Sequence, residues 1–372
     1  MISKFLQERI DAGDFPSAVY LVAEKGEIVL QDALGFAVVE PERIEARVDT
    51  IYDLASLTKV LVTGLLAVKI VETGLLRVEN SVSGYLESFD TQEFRSITVL
   101  DLAVHTAGLR NWLPFYLLAD SPAQMLDVII RQTPAYPTGS TVVYSDLNFI
   151  VLQAVIERLL SRSLDKLAEQ HIFEPLGLRD TSYEPLANSL ITRIAASEIG
   201  NVFEKKLSHD EGFLDNGVDG GRYFRPWTII GEVHDGNAYF MGGVAGHAGL
   251  FSTAEEVFRI AQQFLSNYTT LLKPETCELF RTNFTPGMNE DRSFAFQLAS
   301  TKDSAAGVKM SLESFGHLGF TGTSLWIDPV KERIFILLTN RTHDHDLPFV
   351  NINSVRRRFH DLAIDFLDKR SG

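Results

Sequence analysis

Apolar positions along the chain alternate between two periods. Phe5, Leu6 and Ile10 fit one face of a helix that stops at Gly13. Ala18 to Glu24 and Ile28 to Leu34 are apolar, β-branched runs on either side of Lys25-Gly26, the pattern of a β-hairpin. The run Val60 to Val68 predicts a helix that ends at Gly74, and residues 76–100 read as short elements and loops. Thr98 to Val104 suits a short helix, broken by His105-Thr106-Ala107-Gly108-Leu109. Tyr136-Pro137-Thr138-Gly139-Ser140 is a turn; beyond it Phe149, Leu152, Val155, Ile156 and Leu159 hold helical spacing. Pro175-Leu176-Gly177-Leu178 is another turn. Residues 180–240 are rich in Gly, Asp and Asn with weak periodicity and read as long loops, which in a compact protein are often functional.

The last third is more sharply patterned. A glycine cluster, Gly242 to Gly249, precedes a helix capped by Ser252 or Thr253 and running past Phe264. Ser311 to Leu318, Ser324 to Asp328 and Arg333 to Thr339 read as three successive strands, with Asp328-Pro329-Val330-Lys331-Glu332 turning between the last two. Val355 to Leu367 is a closing helix. Strands at both ends with helices between them predict an α+β fold. Its discontinuous sheet domain takes residues 1–75 and 241–372, and its mostly helical, loop-rich insertion takes 76–240.

Composition narrows the function more than the fold. The 372 residues are 45% hydrophobic and 22% charged, an ordinary globular balance. The net charge of −15, with no Lys/Arg-rich run, argues against nucleic acid as a partner. A single cysteine, Cys277, excludes an internal disulfide and reads as a small core residue rather than a nucleophile. The N-terminus lacks an uninterrupted apolar segment and a small-residue cleavage site. Lys69 and Glu72 interrupt the longest apolar run. The expectation is a cytoplasmic protein without a membrane span.

Three short stretches carry candidate chemistry. Ser56-Leu57-Thr58-Lys59 opens the helix ending at Gly74. If Ser56 begins that helix, Lys59 returns to the same face one turn later, beside unpaired backbone N–H groups. Tyr144-Ser145-Asp146 lies at a loop-to-helix junction, and His317-Leu318-Gly319 ends a strand. Acyl transfer by serine needs a nucleophile, a base and donors aimed at the developing oxyanion. Two bases are open: neutral Lys59, if buried beside other cations, and the Tyr144 phenolate, if Lys59 and His317 lower its pKa. The N–H of Ser56 and one after Gly319 would form the oxyanion hole, and Gly319 would let a substrate approach that edge.

The order Ser-x-x-Lys, then Tyr-x-Asn, then Lys-Thr-Gly defines the penicillin-recognising serine hydrolases. The chain resembles their class C β-lactamase-like branch, which includes β-lactamases, D-alanyl-D-alanine carboxypeptidases, D-amino-acid peptidases and esterases. The likeness runs through Asp53 to Lys59, His105 to Leu109, Tyr144 to Phe149, Gly246 to Thr253 and Gly316 to Thr323. It implies an antiparallel β-sheet flanked by helices with an added helical domain, and no metal or organic cofactor. It also implies that Ser56 is acylated, that Lys59 and Tyr144 handle its proton, and that Ser56 and Phe320 hold the oxyanion.

Two positions depart from the family pattern. His317 stands where a lysine would hold a substrate carboxylate, and histidine is largely neutral at pH 7. Asp146 stands where an asparagine would donate an amide hydrogen bond. It could instead pair with Lys59 and keep that lysine protonated, which would move the base role to Tyr144. With Asp146, His317 and Gly319 as substrate-binding positions, the expectation is a serine hydrolase of small esters or amides, cell-wall peptide fragments among them. A D-alanyl-D-alanine carboxypeptidase or weak β-lactamase is the alternative, and an inert peptide- or penicillin-binding protein is the alternative of another class.

Other residues have two readings each. His234-Asp235 and His247 could line the cleft or satisfy loop carbonyls. His343-Asp344-His345-Asp346 could hold a metal but reads better as a solvated loop, since no further ligand has metal-site spacing. Trp112, Phe115 and Tyr116 could form an apolar substrate wall or simply pack. No Gly-x-Ser-x-Gly elbow, phosphate loop or His-Glu-x-x-His occurs. The expected partner is a small-molecule or peptide substrate.

Overall fold

The computed structural model describes residues 1–185, 191–214 and 224–370. The two ends of the chain meet in one antiparallel sheet. The predicted hairpin is strands β1 (Ser17–Glu24) and β2 (Glu27–Val38). The C-terminal strands are β7 (Phe315–Leu318), β8 (Ser324–Asp328) and β9 (Arg333–Thr339). Short strands β3 (Ile44–Glu45) and β6 (Gln297–Leu298) form the edges, giving the order β3-β2-β1-β9-β8-β7-β6. β1 and β9 join the halves, from Ala18 opposite Thr339 to Glu24 opposite Arg333. A second, two-stranded sheet pairs β4 (Tyr52–Asp53) with β5 (Phe251–Ser252).

The central strands are buried on both faces, and their alternating side chains serve two cores. Val19, Leu21 and Ala23 pack into the larger core with the helices that follow Ser56 and Thr253. Ala18, Tyr20 and Val22 pack into a smaller one with Leu6, Phe359 and Leu362. Helices Ile2–Asp11 and Asn353–Arg370 therefore cover one face of the sheet.

The predicted helix up to Gly74 is present, with Gly74 left-handed at its end. Its first part, Lys59–Gly64, is π-helical, a form that tends to occur at functional sites. The helix Val99–Ala103 is capped reciprocally by Thr98 and Asp101. Helix Asp146–Leu160 buries Phe149, Leu152, Val155 and Ile156, as the spacing predicted.

Several expectations are corrected. The span 180–240 is not simply loop: it holds helices Val202–Asp210 and Gly236–Phe240. The buried residues of the first are Glu204 and Ser208, so its inward face is polar and left no hydrophobic signal. Residues 186–190 and 215–223 of this span lie outside the described residues. The strand expected from Ser311 begins at Phe315, because the Ser311 hydroxyl turns back to donate to Asp328 Oδ2 at 2.7 Å. The helix capped by Thr253 ends at Ala261 and continues to Phe264 only as a 3-10 turn. His343 is not solvated. It is fully buried, accepts from the Val39 N–H at 2.8 Å and donates from Nδ1 to Ser197 O at 2.8 Å. Both nitrogens are used in tying loops together, and the described residues hold no group of three His, Cys, Asp or Glu fit for a metal. Cys277 is buried, its thiol pushed up to about 11 by burial. No helix among the described residues is long and apolar enough to cross a membrane.

Candidate active site

Ser56 sits in a turn that three other segments hold in place. β4 delivers Asp53, whose buried carboxylate accepts from the backbone N–H groups of Ala55 and His234, each at 2.8 Å. Ala55 is left-handed at φ 47°, a strained state for a non-glycine residue, immediately before the hydroxyl. The turn after β7 is fastened to the same stretch. Thr321 donates to Asp53 O at 2.8 Å and Thr323 to Leu54 O at 3.0 Å. The Ser56 turn and the strand-end turn thus form one unit. The backbone N–H groups of Ser56 and Phe320 have no partner among the described residues.

Gly319 has a packing role of its own here. A Cβ at this position would lie 1.9 Å from Thr323 Oγ1 and 2.6 Å from Leu54 O. The close approach is made by the protein's own backbone. Gly319→Ala should therefore part the two turns, destabilising the fold by about 1–3 kcal/mol and slowing turnover. Thermal unfolding and kcat measured on one preparation check both effects.

Lys59 returns to Ser56 as the three-residue spacing requires. Its side chain is 0% exposed, and Nζ donates to Ser56 Oγ at 2.9 Å, Asp146 Oδ1 at 2.7 Å and His247 O at 2.9 Å. An ammonium has three donors, and all three are used. Burial alone would push this amine down, but the Asp146 carboxylate and the Tyr144 oxygen outweigh it and hold it above the usual lysine range. Asp146 opens its helix, where the dipole favours its negative charge.

Tyr144 lies against this pair, its phenol oxygen near both Lys59 and Ser56. Its ring centre is 5.0 Å from Lys59 Nζ, and among the described residues its buried hydroxyl makes no short hydrogen bond. Burial pushes the phenol up, although Lys59 opposes the shift. His317, 5.7 Å from Tyr144 between ring centres, donates from Nδ1 to Leu318 O at 2.9 Å. Burial, then the Lys59 and Arg292 charges, hold it well below the usual histidine range. It is neutral, as its residue type suggested.

Ser56, Tyr144, Asp146, His317, Gly319 and Phe320 all line one cleft of roughly 720 Å³, a size suited to a small ligand. His234 and Asp235 line it too, and so does Trp112, whereas Phe115 and Tyr116 are buried. His247 acts through its carbonyl on Lys59 and through Nε2, 3.0 Å from Asp235. His234 lies 2.8 Å from Glu198.

Glu204 and Arg292, which carry no sequence signal, also line the cleft. Neither belongs to a motif; each reaches the cleft only through tertiary folding. Arg292 is 4% exposed, and its guanidinium carbon stands 5.6 Å from the Tyr144 ring centre. Its Nε and Nη2 meet Glu290 at 3.0 and 2.9 Å, while the buried Nη1 has no hydrogen-bond partner among the described residues.

The beta-lactamase family model matches residues 2–356 of this chain. The chain belongs to the beta-lactamase family. A Salmonella typhimurium (strain LT2) relative named "Putative D-alanyl-D-alanine carboxypeptidase" is 31% identical over 368 residues, covering 91% of this chain and 82% of the relative. Among solved structures, EstCE1, a hydrolase with promiscuous acyltransferase activity, is similar with a TM-score of 0.72 at 20% identity, covering 96% of this chain and 97% of that one. A class C beta-lactamase is similar with a TM-score of 0.72 at 16% identity, covering 97% and 94%. At those identities the structural likeness concerns the fold, and it agrees with the antiparallel sheet and helices expected from the sequence. As a member of the beta-lactamase family, the protein is a serine hydrolase.

Proposed function

We propose that this hydrolase forms an acyl-enzyme on Ser56 and acts on small amides and esters, short cell-wall-type peptides among them. The observation that carries the reading is the contact chain Ser56 Oγ to Lys59 Nζ to Asp146 Oδ1, at 2.9 and 2.7 Å. Of the two candidate bases, Lys59 donates to the Ser56 hydroxyl at 2.9 Å, whereas the Tyr144 phenol stands just beyond that range, close enough for Lys59 and Ser56 to act on it. As Ser56 attacks the substrate carbonyl, its proton passes to Lys59 while Lys59 yields one to Asp146. The Ser56 and Phe320 N–H groups receive the oxyanion. Tyr144, kept protonated by burial, gives its proton to the leaving group as the old bond breaks, and the proton held at Asp146 restores it through Lys59. Water then releases the acyl group and regenerates Ser56. In this reading the sheet part, 1–75 with 241–372, and the helical part, 76–240, face each other across the cleft.

A second reading, D-alanyl-D-alanine carboxypeptidase, gains from Arg292. A neutral His317 cannot supply the cation that a terminal carboxylate needs, whereas Arg292, which lines the same cleft, carries one. The name of the Salmonella relative points the same way. The test has two arms. A fluorophosphonate probe should leave an adduct on the Ser56 peptide, read by mass spectrometry; no adduct would remove the acyl-enzyme. Arg292→Gln should raise KM about 10–100-fold for substrates with a free terminal carboxylate and leave C-terminally amidated ones within about twofold. An equal rise for both would return Arg292 to packing.

A further inference from the structure

The cleft carries apolar surface that the reaction above does not use. Phe203, Leu207, Phe320 and Phe349 all line it, and each is partly exposed rather than buried. Phe203 and Leu207 are four residues apart on helix Val202–Asp210, so they share one face. Phe349 comes from the segment between β9 and helix Asn353–Arg370. The three rings meet in the cleft. Phe203 and Phe320 lie 4.7 Å apart between centres, Phe203 and Phe349 5.7 Å, and Phe320 and Phe349 5.9 Å. A contiguous apolar surface that faces a cleft instead of the core marks a place for a ligand group.

Phe320 is held where it stands. The His234 ring stacks on it at 5.5 Å and 22° between planes, and His234 is itself 2.8 Å from Glu198. Arg341 donates from Nε to the Phe320 carbonyl at 2.7 Å, and its guanidinium carbon is 5.1 Å from the ring centre. The Phe320 N–H is also one of the two donors assigned to the oxyanion. The apolar cluster therefore begins at a residue that binds the reacting carbonyl. The leaving group has a different wall. Tyr144, which gives it a proton, has its ring contacts with His105, His317, Lys59 and Arg292. Departure toward Tyr144 and Arg292 leaves the acyl part beside Phe320.

We propose that Phe203, Phe320 and Phe349, with Leu207, form a subsite for an apolar acyl group. The substrate class is then amides and esters whose acyl part ends in an aromatic ring or a large branched chain, in preference to small acyl groups. This rests on the reading that the cleft acylates Ser56. A ring entering the cluster leaves water and gains edge and face contacts with the three phenyl groups.

The experiment compares two esters on the full chain, para-nitrophenyl phenylpropanoate and para-nitrophenyl propanoate. They share a leaving group and the same carbons next to the carbonyl, so their intrinsic reactivity is matched. The phenyl ester should have a kcat/KM about 10–100-fold higher. Phe349→Ala and, separately, Phe203→Ala should each cut that preference about tenfold. Both esters are measured on one preparation, so a partly unfolded variant lowers both rates together and leaves their ratio intact. Equal rates on the two esters, or a ratio that neither substitution changes, would overturn the subsite. Fluorophosphonate labelling of Ser56 on the same preparation separates the two readings. An adduct with no preference for the phenyl ester sinks the subsite alone. A preference that Phe349→Ala reduces, with no adduct on Ser56, removes the acyl-enzyme and leaves the subsite standing.

Discussion

Ser56→Ala should lower kcat/KM on any accepted ester by about four orders of magnitude or more and abolish labelling by fluorophosphonate. Removing the nucleophile of a serine hydrolase leaves only what binding and the oxyanion donors supply. In the proposed reading those donors are backbone N–H groups, so the substitution does not touch them. The fold should hardly notice, because the short hydrogen bond that Ser56 Oγ makes, as acceptor from Lys59 at 2.9 Å, is one of three that Lys59 Nζ donates. The strain at Ala55 and the clamp from Thr321 and Thr323 involve main-chain atoms that remain. Thermal unfolding within about 1 kcal/mol of the parent, together with lost labelling, is the expected pair of results. Turnover that survived the substitution would mean that chemistry occurs on another residue.

How much of this site could be read from the chain depends on how local each contact is. Ser56 and Lys59 are three residues apart, and helical geometry alone brings them to 2.9 Å. The hairpin about Lys25-Gly26 and the strands ending at Leu318, Asp328 and Thr339 were legible for the same reason: alternation and turn residues act over a few positions. Convergence of Ser56, Tyr144 and His317 was legible only through the ordered motifs, since no local rule links residues this distant. Glu204 and Arg292 were not legible at all. Glu204 sits on the polar inner face of a helix that hydrophobic periodicity passes over. Arg292 is a lone arginine beside the edge strand β6, which is two residues long and below the length at which alternation can be seen. His343 misled for a related reason. Its acidic, histidine-rich surroundings suggest solvent, but tertiary folding buries the ring between Val39 and Ser197.

The departure from asparagine to Asp146 has its largest consequence at Lys59. Lys59→Met should cost about 10³–10⁴-fold in kcat, because the Ser56 proton then has no contacting acceptor. Tyr144→Phe should cost much less on esters with good leaving groups, since such a group departs without the proton Tyr144 would supply. The reverse order of losses would give the base role to Tyr144. Stability should separate the roles further. Met fills the buried volume but leaves Asp146 without its cation; as that side chain is 19% exposed and at a helix start, water and the dipole soften the loss to about 1–3 kcal/mol. The folded-state pKa of Lys59 lies above its ordinary 10.5, so its stabilisation is complete below that pH and is lost as pH rises through the folded value. The stability difference between parent and Lys59→Met should therefore stay flat from about pH 6 to 10 and shrink above that. A difference that already shrinks between pH 7 and 9 would mean a lysine that deprotonates early, and with it a neutral amine able to take the serine proton directly rather than relay it to Asp146.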